Sequence, residues 1–388
     1  MATTGRGEEG ERRSEEKRRS EEKRREKRHE EKRREEKRKR EEDSVTGFKK
    51  ITKKRRRDNG LEEPTPGCSG DPGSSGPYAR LNISRFNIHQ VLGRGAFGKV
   101  VLASVPGSNI NVAVKMISKR DNEDTILRER RILLAARHCP FLCHLYAAHQ
   151  SQHRAYFITE YLSGGSLEDL IRMCGCLNIG NVRFYTAEMV SGLQFLHGLK
   201  IVHRDIKPDN IMLDADGHIR IIDLGLAQDG VSSSKNISGV TGTFHYMAPE
   251  VHRRKQYGAA VDWWSLGIVV SRMAAGRSPF YNGPVKQMAF KAIINEKPKF
   301  PSWLDADVKH LIKKLLHKDP QTRLGVSGNI REHPFFTTIG WEDLEERRVE
   351  PPFRPFRPVL ENHHLQWPEH TVLHPVAGFT YVSPSWAR

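Results

Sequence analysis

The chain has 388 residues, 37% hydrophobic and 29% charged, with a formal net charge of +17. That length allows one large domain or two ordinary ones with tails, and the polarity excludes one uniformly compact globule. No stretch approaches the ~20 apolar residues of a membrane-spanning helix, and nothing near Met1 reads as the apolar core of a signal peptide.

The charge is concentrated at the start of the chain. Residues 1–57 hold 25 Lys/Arg against 15 Asp/Glu, so most of the excess belongs to an N-terminal arm. The balance of the folded part therefore gives no argument for nucleic acid as a primary ligand. From Glu8 to Asp43 the arm cycles through EEKRR-type units without one hydrophobic residue. A coiled coil needs apolar a and d positions, so that assembly is excluded. Glu and Lys/Arg at three- and four-residue spacings, such as Glu15 and Arg19, allow a lone solvated helix, and a disordered charged tail stays open beside it. Lys53-Lys54-Arg55-Arg56-Arg57 reads as a nuclear-import signal, an anionic-surface patch or a solvated linker. Residues 58–85, with GCSGDPGSSGP from Gly67, read as a flexible linker.

The folded sequence is expected from Phe86. To about Glu160 the pattern is mostly strands, with one helix over Asp124–Arg137. After Gly165 it turns helical, with apolar three- and four-residue spacing over Val182–Leu196, Asp262–Ala275 and Asp305–Leu316. A small strand-rich lobe before a larger helical lobe is an α+β arrangement with a cleft between. The five cysteines, Cys68, Cys139, Cys143, Cys174 and Cys176, include no CxxC pair, and Cys174-Gly175-Cys176 is too tight for half a structural zinc site. They are expected as reduced thiols of a cytoplasmic protein, and the basic cluster leaves nuclear entry open.

Gly93-Arg94-Gly95-Ala96-Phe97-Gly98-Lys99-Val100 lies between two strand-like runs. Glycines let a backbone approach phosphate oxygens, and Val100 is placed to cover an adenine. A dinucleotide fold would follow such glycines with a helix. Here a strand follows, ending in Val112-Ala113-Val114-Lys115. A lysine on an apolar strand needs an anion, and Glu129 on the following helix is placed to pair with it. Further on, His203-Arg204-Asp205-Ile206-Lys207-Pro208-Asp209-Asn210 gathers an acid, a cation and an amide on one loop. Asp223-Leu224-Gly225 follows an apolar run, and Ala248-Pro249-Glu250 comes later. Phosphoryl transfer needs such parts: a carboxylate to orient the hydroxyl, a cation for the phosphate, and oxygen ligands for Mg²⁺.

In this order and spacing, the stretch from Phe86 to Phe336 resembles the eukaryotic protein kinases. Within them it is most similar to the AGC group and its protein kinase C catalytic domains of the novel type. CPFLCHLYAAHQ (139–150), YFITEYLSGGSL (156–167), VDWWSLG (261–267), DPQTRLG (319–325) and the tail residues Glu350-Pro351-Pro352-Phe353 and Phe379-Thr380-Tyr381 carry the likeness. The resemblance implies a two-lobed kinase fold over 86–336 with a C-terminal tail over 337–388. It implies a serine/threonine kinase using ATP and Mg²⁺ on protein substrates, and an upstream kinase docking at the tail motif. No diacylglycerol-binding or calcium-binding module is legible before Phe86, so the expected relative lacks that regulatory half.

Carried over by residue, Asp205 is the expected base, Lys207 its charge partner, and Asn210 and Asp223 the metal ligands. Leu92, Gly93, Gly95, Gly98, Val100, Ala113, Lys115, Glu129, Glu160, Leu162 and Met212 are expected around ATP, with Thr159 behind the adenine. Asp262 braces the loop, Glu250 pairs with Arg323, and Leu133, Leu145, Leu224 and His203 stack through the core. Ser238, Thr243 and Thr380 are the expected regulatory positions, and Ser166, Asp209 and Arg272 line the substrate groove.

Several positions depart from the family. Leucine stands in Asp223-Leu224-Gly225 where phenylalanine is usual, and Gly239 occupies the usual site of loop phosphorylation, one residue after Ser238. Val376 replaces an aromatic, which predicts looser docking of the tail. Arg272 stands where a glutamate would meet a substrate arginine, and Ser166 replaces a second acid, so repulsion of that arginine is expected. The alternative use of such a fold is a pseudokinase scaffold, which would be expected to have lost Lys115, Asp205, Asn210 or Asp223. All four are present.

Overall fold

The computed structural model describes residues 83–355 apart from 96, 97, 109, 121, 233, 234, 281 and 282, together with 376, 379–383 and 386. The expected charged arm, the basic cluster and all but the last three linker residues lie outside the described residues. Those three, Ile83–Arg85, form a 3-10 turn, and Ile83 is buried, so ordered packing begins slightly before the expected boundary.

Five strands follow one another around one helix in the first lobe: β1 (Asn87–Gly95), β2 (Gly98–Ser104), β3 (Asn111–Ser118), α1 (Glu123–Ala136), β4 (Leu145–Gln150) and β5 (Arg154–Glu160). All neighbours pair antiparallel in the order β1-β2-β3-β5-β4. Strand alternation explains the side-chain distribution. In β3, Val112, Val114 and Met116 enter an apolar cluster with Ile88, Val101 and Ile158, while Ala113 and Lys115 face the other way and stay partly open.

The second lobe is helical. Its elements are α2 (Leu167–Cys174), α3 (Ile179–Gly198), the short hairpin β6 (Ile211–Leu213) and β7 (Ile219–Ile221), α4 (Pro249–His252), α5 (Ala260–Ala275), α6 (Lys286–Asn295), α7 (Ala306–Leu315) and α8 (Trp341–Glu345). The helix starts are written in side chains. Asn178 caps α3, Asp305 caps α7 through the Asp307 and Val308 N–H groups, and Ser166 with Asp169 forms a capping box on α2. Helices α3 and α5 are buried on nearly every face, which their mean apolar character requires. The four expected helices all form, with ends shifted by at most three residues.

The C-terminal segment returns to the first lobe. β8 (Tyr381–Val382) adds antiparallel to β4 as the sixth strand. Phe379 is buried edge-on against Phe157 at 5.4 Å, and Trp386 stacks on Tyr146 at 5.1 Å. The Gln150 side chain accepts from the Val376 N–H at 2.8 Å and donates to its carbonyl at 3.1 Å. Val376 is itself buried, so the missing aromatic leaves a closed contact. The grip combines the buried Val376 and Phe379 side chains with the Gln150 bonds and Trp386, and the last two are contacts that the residue at 376 could not disclose.

Candidate active site

The cleft-facing side of β3 supplies the first functional group. Lys115 Nζ lies 2.6 Å from Glu129 Oε1 and 2.8 Å from Asp223 Oδ1. Burial opposes the charge on Lys115, but Glu129 and Asp223 outweigh it and hold the ammonium above its ordinary range. Gly225 makes this triad possible. A Cβ there would sit 3.0 Å from Lys115 Nζ and 3.3 Å from both Asp223 Oδ1 and Glu129 Oε2. Asp223 itself has φ 60°, a left-handed conformation that aims its carboxylate back at Lys115. Leu224 is buried in the main core with Leu133 and Leu145, so leucine fills the slot expected of phenylalanine.

The glycine-rich turn joins β1 to β2. Gly93 and Gly95 face open space, whereas a Cβ on Gly98 would lie 1.9 Å from the Met116 carbonyl oxygen. Its φ of +146° adds to that restriction, so this position pairs β2 closely to β3 only as glycine. Leu92 is exposed and Val100, Ala113 and Met212 are partly open, while Leu162 is buried. Thr159 lies opposite Ala113 in the β3–β5 register. The Glu160 carboxylate is committed elsewhere, accepting from the His144 N–H at 2.8 Å and from Arg220 Nε at 3.1 Å.

The loop after α3 carries the second group. Asp262, fully buried on α5, accepts from the His203 and Arg204 N–H groups at 2.9 Å each and lies 2.8 Å from His197 Nε2. Burial opposes its charge, but the His197 bond and charge, then His203 and the Arg204 N–H, hold the carboxyl below the usual range. This brace fixes Arg204 at φ 71° and so presents Asp205. Asp205 Oδ2 accepts from Lys207 Nζ at 2.8 Å and Asn210 Nδ2 at 3.0 Å, and Oδ1 accepts from Thr243 Oγ1 at 2.6 Å. Lys207 also donates to Thr243 Oγ1 at 2.9 Å. The Thr243 hydroxyl therefore sits between the Asp205 carboxylate and the Lys207 ammonium. Chain spacing alone could not reveal that, because 38 residues separate Thr243 from Asp205.

Asn210 donates its amide N–H groups to the Asp205 carbonyl and carboxylate, which leaves its oxygen as the free end. Asp223 commits Oδ1 to Lys115 and retains a second oxygen. Two hard oxygen donors, with phosphate and water completing the shell, suit Mg²⁺. Among the described residues no cluster of three His, Cys, Asp or Glu offers a different metal site.

The groove residues fall at one end of this loop. Ser166 is the N-cap of α2 and bridges Met212; Asp209 is exposed. Arg272 is not the free cation the sequence suggests. Its Nη2 lies 2.7 Å from both carboxylate oxygens of Glu168, a residue the sequence reading passed over. Ser238 and Thr380 are both exposed. Glu250 and Arg323 form the expected buried pair at 2.7 Å.

A strand-borne lysine clamped by a helix glutamate, set across a cleft from a braced Asp-Lys-Asn loop, defines the protein kinase class. The chain belongs to the protein kinase domain family, whose model matches residues 86–336. It is 40% identical over 309 residues to rat "Protein kinase C delta type", covering 76% of this chain and 46% of that protein. It is 41% identical over 281 residues to the mouse protein of the same name, covering 71% and 42%. To rabbit "Protein kinase C epsilon type" it is 37% identical over 306 residues, covering 75% and 41%. The chain thus spans less than half the length of these relatives. No helix among the described residues is long and apolar enough to cross a membrane.

Proposed function

We propose that this chain is an ATP-dependent protein serine/threonine kinase. The observation that carries the reading is the fully bonded Asp205–Lys207–Asn210–Thr243 set facing an intact Lys115–Glu129–Asp223 triad. Asp205 orients the incoming serine or threonine hydroxyl and takes its proton, and Lys207 steadies the phosphoryl oxygens in flight. Lys115 holds the nucleotide phosphates under the glycine turn. Leu92, Val100, Ala113, Leu162 and Met212 frame the adenine, and Glu160 meets it through its backbone, since its carboxylate is held by His144 and Arg220. Asn210 and Asp223 would hold Mg²⁺, which when bound offsets the phosphate charges.

Residues 86–336 act as the catalytic domain and 337–388 as its tail, preceded by the charged segment 1–57. Ser238 and Thr380 are surface hydroxyls open to an upstream kinase, the latter in the docked tail. Its substrates are proteins, and it works in the cytoplasm, with the basic cluster at 53–57 available as an import signal. The test is ATP-dependent labelling of a generic serine/threonine protein substrate by the full chain. Transfer by wild type and none by Asp205→Ala is expected; equal labelling by both defeats the assignment.

A further inference from the structure

Arg272 and Glu168 come from different helices and meet beside the reacting loop. Helix α2, which carries Glu168, packs on the Pro208–Asn210 turn. Helix α5, which carries Arg272, is tied to the segment after Thr243 by Ser265 Oγ donating to the Tyr246 carbonyl at 2.8 Å. Burial pushes the Tyr246 phenol up, and Arg272, Glu168, Asp209 and Asp205 all act on it electrostatically. The Arg272–Glu168 pair thus joins a helix packed on the Pro208–Asn210 turn to a helix tied to the backbone at Tyr246.

The acids around that ring differ in availability. Asp209 is exposed and has no ion pair among the described residues. Glu168 is occupied: Arg272 Nη2 lies 2.7 Å from both its oxygens, and Arg172 Nη2 stands 3.8 Å away. The pair is partly open to solvent, with side-chain exposures of 26% for Arg272 and 19% for Glu168, so an incoming guanidinium can reach the carboxylate. The Arg272 Nε is buried without a hydrogen-bond partner, so the side chain is fixed for its contact with Glu168 at the expense of its own donor.

We infer that Glu168 is a latent cation-reading site of the substrate groove and that Arg272 is its built-in competitor, so that the kinase favours substrates with one basic residue, met by Asp209, over those with two. A tethered competitor acts at an effective concentration on the order of millimolar or more, while a substrate arginine arrives from dilute solution and must displace it. The second substrate cation therefore gains almost nothing. Removing Arg272 exposes an acid already positioned for a guanidinium. The inference rests on the kinase reading above.

The experiment measures kcat/KM of the full chain for three peptide sets: no arginine, one arginine at each position around the acceptor serine, and the best of these with a second arginine scanned along the peptide. Wild type should respond to one arginine and change by less than about threefold with a second. Arg272→Ala should give a gain of roughly tenfold to a hundredfold for the second arginine at one position, and Arg272→Gln should give the same position. Glu168→Gln in the Arg272→Ala background should abolish the gain. A strong two-arginine preference in wild type, no gain at any position in either variant, or a gain that survives loss of Glu168 overturns the inference while leaving the kinase reading intact. Wild type that labels no peptide of any set overturns the kinase reading and this inference with it.

Discussion

The two lobes hold their functional groups by opposite means. In the helical lobe, Asp205, Asn210, His203 and Asp262 are all buried, and each is bonded to another member or to the loop backbone. The constellation is complete within that lobe. In the strand lobe, Lys115 reaches its geometry only through Glu129 on α1 and Asp223 from the other lobe. Around it Leu92, Gly95 and Gly98 lie open to solvent. The difference teaches that the helical lobe supplies a fixed chemistry, and that the strand lobe supplies a condition which can be met or lost.

The sharpest way to break the comparison is to remove one group from each side. Asp205→Ala should lower kcat by roughly 10²–10⁴-fold, and Lys115→Met by at least ~10²-fold, in ATP-labelling assays. The two should differ in origin. Asp205→Ala leaves the Lys115–Glu129–Asp223 triad intact and should still bind nucleotide, whereas Lys115→Met should weaken nucleotide binding measured by calorimetry. Equal nucleotide affinity in both variants would contradict the division.

A smaller effect, on stability, is expected at the brace. Asp262→Ala orphans the buried His203 and Arg204 N–H groups and should destabilise the helical lobe by about 3 kcal/mol. A Tm unchanged by this substitution would contradict the role given to Asp262. Its pH dependence sharpens the point. The folded Asp262 and Asp223 carboxyls both lie below the ordinary value of 3.8, burial being outweighed by their partners. Above that value both folded and unfolded chains are ionised, and the stabilisation is fully present. Below it the unfolded chain takes up protons first, so stability is lost as pH falls toward the folded values. Thermal melts should thus show this contribution flat from pH 7 to 5 and falling below about pH 4, with a shallower fall in Asp262→Asn.

The smallest effect belongs to the tail. Gln150→Ala loses two hydrogen bonds to Val376, about 1 kcal/mol each, and Trp386→Ala loses a stacked pair worth ~0.5–1.5 kcal/mol. Both should lower Tm by a few degrees and reduce kcat/KM less than fivefold. A loss as large as that of Lys115→Met would place the tail among the conditions of catalysis.

What the sequence disclosed follows the same division. The strands, the four helices and the polar motif residues around Lys115 and Asp205 were legible because short-range pattern and motif spacing encode them. Leu224 was rightly read as a volume match. The bond between Thr243 and Asp205 was not legible because 38 residues separate them, and Glu168 was missed because only the meeting of α2 and α5 gives it meaning. In the tail, the buried Phe379 belongs to the quoted motif, whereas the Gln150 bonds to Val376 and the stacking of Trp386 on Tyr146 do not show in it. In each case what stayed hidden is a contact between residues far apart in the chain.

Gln150 has a wider consequence. A primary amide that accepts from a residue's N–H and donates to its carbonyl imitates a neighbouring strand, and it does so without reading the side chain between them. Position 376 is therefore held by its peptide groups as well as by its buried side chain, so the anchor depends on a backbone donor that no side chain replaces. Proline would undo at 376 what valine, leucine or an aromatic would preserve. A lock of this kind keeps its register while its sequence signature fades, and a search by motif would overlook tails that remain attached.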